Sequence, residues 1–257
     1  MTLHMLKLMP DMAGMTRWAK RENLLVHERN DDLGYALHAA LNQAFGDLAP
    51  RPFALQPSRA GVALLGYTAH PVEELRHHAQ SFANPDVAEI LGLPSLAGKQ
   101  MPDHFPQGQR LGFTVRVRPT IRMDRNGDRT KTVERDAYRD AKSGEAEHQP
   151  SRGEVYQSWL TERLSRAGVR VEHLALETYR RSVTLRRDKL RKLQPVDGPD
   201  ASFSGILHVV EPDLFKALLA GGVGRHAAFG YGMLLLRPAY PHVKGQTGAR
   251  ASSHSSC

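Results

Sequence analysis

The sequence predicts an α+β fold in which two similar units follow one another along the chain. Segments with the strand period of two alternate with segments of helical period, and this succession occurs on both sides of a polar stretch at residues 124–150. A chain of 257 residues, 40% of them hydrophobic, is long enough to bury one or two cores. We therefore expect two compact units joined by a charged segment.

The first unit, residues 1–123, has the predicted order β-α-β-β-α-β. Its strands are expected at 3–9, at 50–69 as two strands joined by a turn, and at 110–123, and its helices at 30–47 and 71–82. Asp31 or Asp32 can cap the first helix, Gly46 can end it, and Pro71 starts the second. This order fits one ferredoxin-like unit.

The second unit, residues 151–240, has two predicted helices, at 153–168 and 212–222, each ended by glycine. Its strands are expected at 169–179, 203–212 and 231–238. Between the units, residues 124–150 lack periodic apolar positions and are predicted to form an exposed linker or a charged helix. The Ser/Gly/Ala-rich residues 241–257 are expected to form a disordered tail.

The composition favours a polyanionic partner. The net charge is +8, and 26 of the 35 basic residues are arginine, the side chain best suited to phosphate. A solvated basic surface without a specific partner is the alternative. The single cysteine, Cys257, allows no disulfide within the chain, and no apolar run approaches a membrane span, so a cytoplasmic protein without membrane contact is expected.

The stretch from Gly221 to Pro238 is unusual, because five of its first twelve residues are glycine. It follows a predicted helix and leads into the last predicted strand. Glycine lets the backbone approach a ligand closely and adopt positive φ, and such loops can present amide groups to phosphate. The stretch is neither a Walker motif nor a dinucleotide fingerprint, since it ends a helix and does not open one. A tight turn without a ligand is the alternative interpretation.

With its flanking strand, this stretch resembles the C-terminal glycine-rich signature of the CRISPR repeat-processing endoribonucleases of the RAMP superfamily, specifically their CasE-like branch in type I-E systems or its type IV relative. The likeness extends over residues 3–238 and implies two tandem ferredoxin-like (RRM-like) domains with a basic, partly helical insertion. Ala227 stands where the signature has a basic residue or serine, a role that Arg225 or His226 could fill. The loop residues that inherit an RNA-binding role are Gly222, Gly224, Arg225, His226 and Gly230.

The helix predicted at 30–47 carries the second match. At 100° per residue, Tyr35, His38 and Asn42 fall on one flank beside the apolar stripe. A structural histidine is the alternative, but the CasE-like enzymes have a Tyr-x-x-His pair on their first helix. The resemblance therefore implies that His38 is a general base or acid and that Tyr35 orients the ribose or supports charge on the phosphate. The supporting arginine stays open between Arg225, Arg21, Arg122 and Arg237.

Two basic stretches are predicted to contact RNA, although each could be only a solvated surface. The first runs from Arg110 to Lys142, where a basic helix face is expected, and the second from Arg180 to Lys192, where a hairpin or helix is expected. The candidate contacts in the first are Arg116, Arg118, Arg122, Arg129, Lys131, Arg135 and Arg139. Those in the second are Arg180, Arg181, Arg186, Arg187, Lys189 and Arg191.

The resemblance implies cleavage of precursor CRISPR RNA at the base of the repeat hairpin, without metal or other cofactor. The ribose 2′-hydroxyl would attack the adjacent phosphorus, leaving 2′,3′-cyclic phosphate and 5′-hydroxyl ends. The mature crRNA would stay bound, and other subunits of a CRISPR effector complex are the implied protein partners. A non-catalytic crRNA-binding subunit and a general RNA-binding protein are the alternative functions.

Overall fold

A computed structural model describes residues 2–25, 32–125, 128–142, 149–187 and 193–239, with the backbone alone at 124–125, 128–132 and 187. The strands are β1 (His4–Leu8), β2 (Phe53–Ser58), β3 (Gly61–Thr68), β4 (Ala97–Gln100), β5 (Arg110–Val117), β6 (Thr120–Arg125), β7 (Asp128–Asp136), β8 (Val169–Arg187), β9 (Leu193–Val209) and β10 (Leu235–Pro238). The helices are α1 (Met12–Arg21), α2 (Gly34–Phe45), α3 (Val72–Phe82), α4 (Pro85–Ile90), α5 (Ala137–Ala141), α6 (Arg152–Arg166) and α7 (Pro212–Gly221). Three short 3₁₀ turns complete the described elements, at Gly46–Leu48, Leu93–Ser95 and Ala227–Phe229.

Two antiparallel sheets with the same topology form the framework. The first has the order β2-β3-β1-β4, and the second has the order β10-β5-β9-β8. In the first sheet, β1 to β4 are the first to fourth strands, and in the second sheet β5, β8, β9 and β10 are. With this numbering, both sheets have the strand order 4-1-3-2. This is the ferredoxin-like arrangement, so the predicted α+β class with two tandem ferredoxin-like units is confirmed.

The first sheet contributes to two hydrophobic cores because its side chains alternate between its faces. Leu6, Leu8 and Leu64 pack with the buried residues of α1 to α4. Tyr67 and Ala54 belong instead to the core that is built around the second sheet. The Tyr67 hydroxyl donates a hydrogen bond of 2.9 Å to the carbonyl of Leu234, so the units are joined by polar as well as apolar contacts.

The sequence indicated that the strand predicted at 110–123 completes the first sheet. The structure contradicts this expectation. The edge strand beside β1 is the short, exposed β4, whereas β5 lies in the second sheet between β10 and β9. The strong alternation of β5 reflects burial in that second core, where Phe113, Val115 and Val117 are enclosed. The chain also turns after Val117, and β6 begins a separate two-stranded ribbon.

The charged stretch after Thr120 is mainly β structure, so the predicted linker or basic helix is wrong. β6 and β7 form an antiparallel ribbon, and among the described residues of this stretch the helical ones are the five of α5. In this segment charged side chains alternate with Ile121, Met123 and Val133, which is a strand period with little apolar content. The second basic stretch extends β8 and β9 into a long hairpin, as one of the two sequence predictions proposed. Residues 241–257 lie outside the described residues.

Candidate RNA-cleavage site

The candidate site is built on α2, where Tyr35 and His38 lie one turn apart. Their ring centroids are 6.1 Å apart, and both rings contact Phe229, with centroid distances of 5.8 Å and 5.1 Å. Phe229 belongs to the 3₁₀ turn within the glycine-rich loop. The structure therefore brings together the two motifs that the sequence analysis selected, although nearly two hundred residues separate them.

His38 is in a partly buried position that keeps its imidazole uncharged. Burial and, to a smaller extent, the positive charge of Arg51 lower the pKa of His38 to about 4. The amide nitrogen of Asn42 lies 3.0 Å from Nε2 and 3.3 Å from Nδ1 of His38. An amide N–H of Asn42 is therefore within hydrogen-bond distance of whichever ring nitrogen lacks the proton. At neutral pH this imidazole can accept a proton.

The glycine-rich loop needs its glycines for two distinct reasons. Gly222, Gly224, Gly230 and Gly232 all have positive φ, between 76° and 84°, where side chains are strained. An added Cβ would also collide with neighbouring atoms, most severely at Gly232, where the carbonyl oxygen of Val223 lies 2.5 Å away. The loop is therefore a tightly folded backbone structure.

The loop also packs directly on the start of the histidine helix. A Cβ on Gly34, the first residue of α2, would lie 2.3 Å from the carbonyl oxygen of Phe229. Gly34 thus permits a close backbone approach, which seats Phe229 against Tyr35 and His38. This glycine is a site residue that the sequence analysis missed.

A buried carboxylate, Asp32, anchors the same end of α2 to the second unit. Its Oδ1 accepts a hydrogen bond from Gly34 N (2.9 Å), and its Oδ2 accepts bonds from the hydroxyls of Tyr231 (2.6 Å) and Thr184 (2.9 Å). Burial raises the pKa of Tyr231 to about 12, so this hydroxyl keeps its proton and donates it. The sequence analysis proposed Asp32 only as a possible helix cap. The N-cap position is occupied by Leu33, and Asp32, one residue earlier, binds the helix through the N–H of Gly34.

Arg116 completes this interior network. Its guanidinium donates two hydrogen bonds to Asp200, of 2.8 Å and 2.7 Å, and lies 3.5 Å from Asp32. Burial alone would lower the pKa of Arg116, but Asp200, Tyr231 and Asp32 raise it overall, so the side chain stays charged. The Asp200 carboxylate also accepts a bond of 2.8 Å from Arg180. A charge network therefore links the base of the exposed hairpin to the start of α2.

A second carboxylate, Glu134 on β7, contacts two arginines and a histidine. It accepts a hydrogen bond of 2.7 Å from His226, and it lies 3.0 Å from Arg225 Nε and 3.6 Å from Arg186. Although burial would raise the pKa of Glu134, these three partners hold it below its ordinary value. Glu134 thus ties the β6–β7 ribbon to the glycine-rich loop and to the β8–β9 hairpin.

The remaining predicted RNA contacts fall into three groups. Arg122, Arg135, Arg139, Arg180, Arg181 and Arg186 are exposed on the two hairpins and on α5, as expected. The side chains of Arg129, Lys131 and Arg187 lie outside the described part, as do residues Lys189 and Arg191 entirely. Arg118 and Arg116 do not lie on the surface as RNA contacts would. Arg118 is 1% exposed, and Arg116 is bound within the interior network.

Arg51 is a further cation that the sequence analysis missed. Its charge acts on His38, and no carboxylate in the described ranges forms an ion pair with it. Arg51 follows the end of α2, and its backbone N–H donates to the carbonyl of Tyr67 at 3.0 Å. Only the return of the chain after α2 brings it to His38, so no local pattern could have indicated it. The other arginines considered for this role, Arg21 and Arg237, lie at α1 and at β10.

The described residues contain no group of three or more His, Cys, Asp or Glu side chains arranged to hold a metal ion. Within the same ranges, no helix has the length and apolar character needed to cross a membrane. The site described above offers an uncharged imidazole, the Tyr35 phenol and the guanidinium of Arg51.

The chain combines two ferredoxin-like units, a Tyr-x-x-His helix and a glycine-rich loop packed on that helix. The chain belongs to the CRISPR-associated protein family, whose profile matches residues 3–238. No curated protein matches the chain.

Several solved structures share this fold. The CRISPR endoribonuclease Cse3 bound to a 19-nucleotide RNA matches with a TM-score of 0.62 and 21% identity, over 93% of this chain and all of the other. Thermus thermophilus Cse3 in a pre-cleavage RNA complex matches with a TM-score of 0.58 and 21% identity, over 93% and 100% of the two chains. Cas6e from Escherichia coli K-12 matches with a TM-score of 0.55 and 16% identity, over 92% and 100%.

Proposed function

We propose that this protein is an endoribonuclease that cuts precursor CRISPR RNA at the base of the repeat hairpin, using Tyr35 and His38. The observation that carries the proposal is the contact of Tyr35 with an uncharged His38, whose pKa is lowered by burial and by the charge of Arg51. A proton acceptor beside a positive charge is what attack by a ribose hydroxyl on a phosphodiester requires. The similarity to Cse3 and Cas6e supports the same assignment.

In the proposed reaction, His38 takes the proton of the 2′-hydroxyl while that oxygen attacks the adjacent phosphorus. The bond between phosphorus and the 5′-oxygen breaks, and the leaving oxygen becomes a 5′-hydroxyl by taking a proton from water, to which His38 returns the proton that it accepted. The products carry a 2′,3′-cyclic phosphate and a 5′-hydroxyl. We assign Arg51 to the negative charge that develops on the phosphate oxygens, and Tyr35 to the orientation of the ribose.

Binding of the hairpin is assigned to the exposed arginines of the two hairpins, with the glycine-rich loop beside the cleavage site. The narrow major groove of A-form RNA favours recognition by shape and phosphate contact. Retention of the mature crRNA and assembly with other CRISPR effector subunits are further parts of this proposal. A structure of similar fold is part of a CRISPR RNA-guided surveillance complex (TM-score 0.52, 16% identity).

A cleavage assay tests the proposal. Purified protein is incubated in EDTA with repeat RNA from its own locus, beside His38→Ala and the control His77→Ala, which changes an exposed histidine on α3. We expect one cut below the hairpin, with a cyclic phosphate end, from wild type and His77→Ala, and at least a 100-fold slower cut from His38→Ala. RNA affinity measured in parallel is expected to be unchanged.

Three other results would alter the assignment. Tight binding of the repeat without cleavage by any of the proteins would indicate a non-catalytic crRNA-binding subunit. Cleavage that survives His38→Ala would remove His38 from the mechanism. Equal affinity for the repeat and for unrelated RNA at moderate salt would indicate a general RNA-binding protein.

A further inference from the structure

A polar cavity of about 200 Å³ lies between the β6–β7 ribbon and the β8–β9 hairpin. It is separate from the His38 site, and its wall includes Arg118, Thr120, Arg139, Arg181 and Asp197. Arg139 and Arg181 are exposed, so the cavity opens to the surface at these side chains. Glu134, which binds the glycine-rich loop, lines another side of the cavity.

Arg118 is an unusual buried cation beside this cavity. Its Nη2 donates to the carbonyls of Ser182 (3.0 Å) and Val196 (3.2 Å), and its guanidinium lies 5.5 Å from the centre of the Tyr231 ring. No carboxylate in the described ranges lies within ion-pair distance of it, and its Nη1 has no hydrogen-bond partner. A buried charge without a counter-ion is costly, so this arrangement calls for an anion nearby.

Thr120 supplies a second unpaired donor. Its hydroxyl is buried without a partner, while its backbone carbonyl accepts a bond of 2.9 Å from Trp159 Nε1. Two unsatisfied polar groups in the wall of one cavity are unusual, because native structures satisfy nearly all buried polar groups. Both groups can donate a hydrogen bond to a ligand.

The carboxylates that line the cavity already have partners. Asp197 pairs with Arg181, and Asp136 accepts a bond of 2.8 Å from the Tyr156 hydroxyl and lies 3.4 Å from Arg152. Glu134 Oε1 accepts no hydrogen bond from the described residues, but it forms an ion pair with Arg225 Nε at 3.0 Å. The positive charges of Arg118 and Arg139 are thus left without a carboxylate among the described side chains.

We propose that this cavity binds an oxyanion, namely a phosphate group of the RNA backbone. The exposed guanidinium of Arg139 would contact the phosphate oxygens directly, while Arg118 supplies a fixed positive charge beneath the floor and Thr120 a hydroxyl donor. An unpaired charge favours a phosphate over a neutral base. The assignment to RNA rests on the proposed function, whereas the oxyanion site itself does not.

Gly198 shows how closely the fold holds Arg118 in place. A Cβ at this position would lie 2.5 Å from Arg118 Nη2 and 3.2 Å from its Cζ. The hairpin backbone therefore lies flat against the guanidinium and keeps it at the cavity wall. The cation is fixed before any ligand arrives, which lowers the ordering cost of binding.

The first arm of the test uses inorganic phosphate and no RNA. Thermal unfolding is followed in phosphate and in chloride at equal ionic strength, for wild type, Thr120→Val, Arg139→Gln and the control Arg170→Gln, an exposed arginine on β8. We expect a saturable rise in Tm with phosphate for wild type and Arg170→Gln, and at least a threefold weaker apparent affinity in the other two. Equal stabilisation of all four proteins, or none beyond chloride, would overturn the site.

Arg118→Met is added as the most direct variant, and the milder Thr120→Val and Arg139→Gln keep the test decisive if Arg118→Met fails to fold. Thr120→Val conserves shape and leaves the Trp159 bond to the backbone intact. If the folded Arg118→Met protein still shows the wild-type phosphate response, the role of Arg118 is excluded.

The second arm measures affinity for repeat RNA against salt concentration. If an RNA phosphate occupies the cavity, Arg139→Gln is expected to weaken binding severalfold and to lower the slope of log K against log salt by roughly 0.9, whereas Arg170→Gln leaves both unchanged. An unchanged slope with a positive phosphate arm would overturn the RNA assignment and leave a site for a free oxyanion. Failure of wild type to bind repeat RNA would instead overturn the proposed function, with the phosphate arm still informative.

Discussion

At the scale of single residues, the charge state of each ionisable group in the site is set by its burial and by its charged neighbours. His38 is kept uncharged by burial and by Arg51, whereas Arg116 and Glu134 stay charged because each has opposite charges within reach. The same interior therefore holds a proton acceptor and two fixed charges. This difference follows from local partners, which the sequence alone does not reveal.

The first prediction concerns Arg51→Gln. Removing this like charge should raise the pKa of His38 from about 4 towards 6.5, but only partly, because burial is the larger cause. NMR titration of the imidazole resonances measures the midpoint, and Arg59→Gln, an exposed change in the β2–β3 turn, serves as the control. An unchanged midpoint in Arg51→Gln would show that Arg51 does not act on His38.

The lowered pKa of His38 also fixes a direction for stability. Between pH 6.5 and about 4 the unfolded chain binds a proton at His38 that the folded protein does not. This residue therefore makes the folded state less stable as the pH falls through that range. In His38→Gln, stability measured by urea unfolding should decline less steeply with falling pH than in wild type; an identical decline would contradict the lowered pKa.

The second prediction concerns Asp32→Asn. The change places an amide nitrogen against the Tyr231 and Thr184 hydroxyls and removes the negative charge beside Arg116. We expect a loss of roughly 2–4 kcal/mol in the free energy of unfolding in urea. Asp47→Asn, an exposed change in the turn after α2, should stay within about 0.5 kcal/mol of wild type. Similar stabilities for the two variants would remove Asp32 from the anchor.

Several site residues could be predicted from the sequence and others could not. Helix geometry placed Tyr35 and His38 on one flank of the predicted helix, and the resemblance to the CasE-like enzymes implied their roles. Arg118 was assigned to RNA only because it lies in the basic stretch from Arg110 to Lys142, and composition does not show that its side chain is buried. The extended β8–β9 hairpin covers it, with Gly198 against the guanidinium. Arg51 and Phe229 reach the site through tertiary packing, which leaves no local pattern.

At the scale of elements, the glycine-rich loop has a defined shape and a defined seat. Within the loop, Gly230 packs against β2 and Gly224 packs against α6. The carbonyl of Phe229 packs against Gly34, in the first turn of α2. Such contacts leave no room for side chains, so the glycines act as the packing surface of the loop. The sequence indicated the need for bare backbone correctly but not the neighbours that require it.

The third prediction compares two glycines of one region. Gly232→Ala would combine a φ of 79° with a Cβ 2.5 Å from Val223 O, and we expect a loss of about 2–4 kcal/mol in the free energy of unfolding together with slower RNA cleavage. Gly221→Ala, with no atom within 4 Å of the new Cβ, should be neutral or slightly stabilising. Urea unfolding measures both, and equal stabilities would contradict the tight loop.

The elements also show where periodicity succeeds and fails. The helices α2, α3, α6 and α7 and the strands β2 and β3 follow from strong patterns with clear ends, such as Gly46. The helix α1 was missed, although Asp11 caps it with a 3.0 Å hydrogen bond from Ala13 N. The strand predicted at 110–123 covers most of β6, whereas β7 lies in the segment predicted as a linker or charged helix, because few of its residues are apolar.

At the scale of the whole molecule, basic residues are concentrated on the hairpins of the second unit. The chain carries a net charge of +8, and the exposed arginines of β6–β7, α5 and β8–β9 form its main described basic surface. Association with RNA should therefore be fast and strongly dependent on salt. The first unit supplies the imidazole, and the second supplies most of the charge.

The fourth prediction follows from this division. Replacing Arg122 and Arg186 together by glutamine should weaken RNA binding and lower the slope of log K against log salt by roughly 1.8. The position at which the RNA is cut should stay the same. The control, Arg59→Gln with Arg170→Gln, removes the same charge from other surfaces. Filter binding at several salt concentrations measures the slope; equal slopes for the two double variants would place the RNA elsewhere.

The seating of Phe229 on the histidine helix has a consequence for the order of synthesis. A ribosome makes α2 early, but Phe229 and Tyr231, which hold and orient that helix, emerge only after α7. A nascent or truncated chain that ends before the loop contains His38 without its setting. Such a chain should lack the proposed cleavage activity, because the contacts of Phe229 and Tyr231 that seat α2 can form only after α7 has been made.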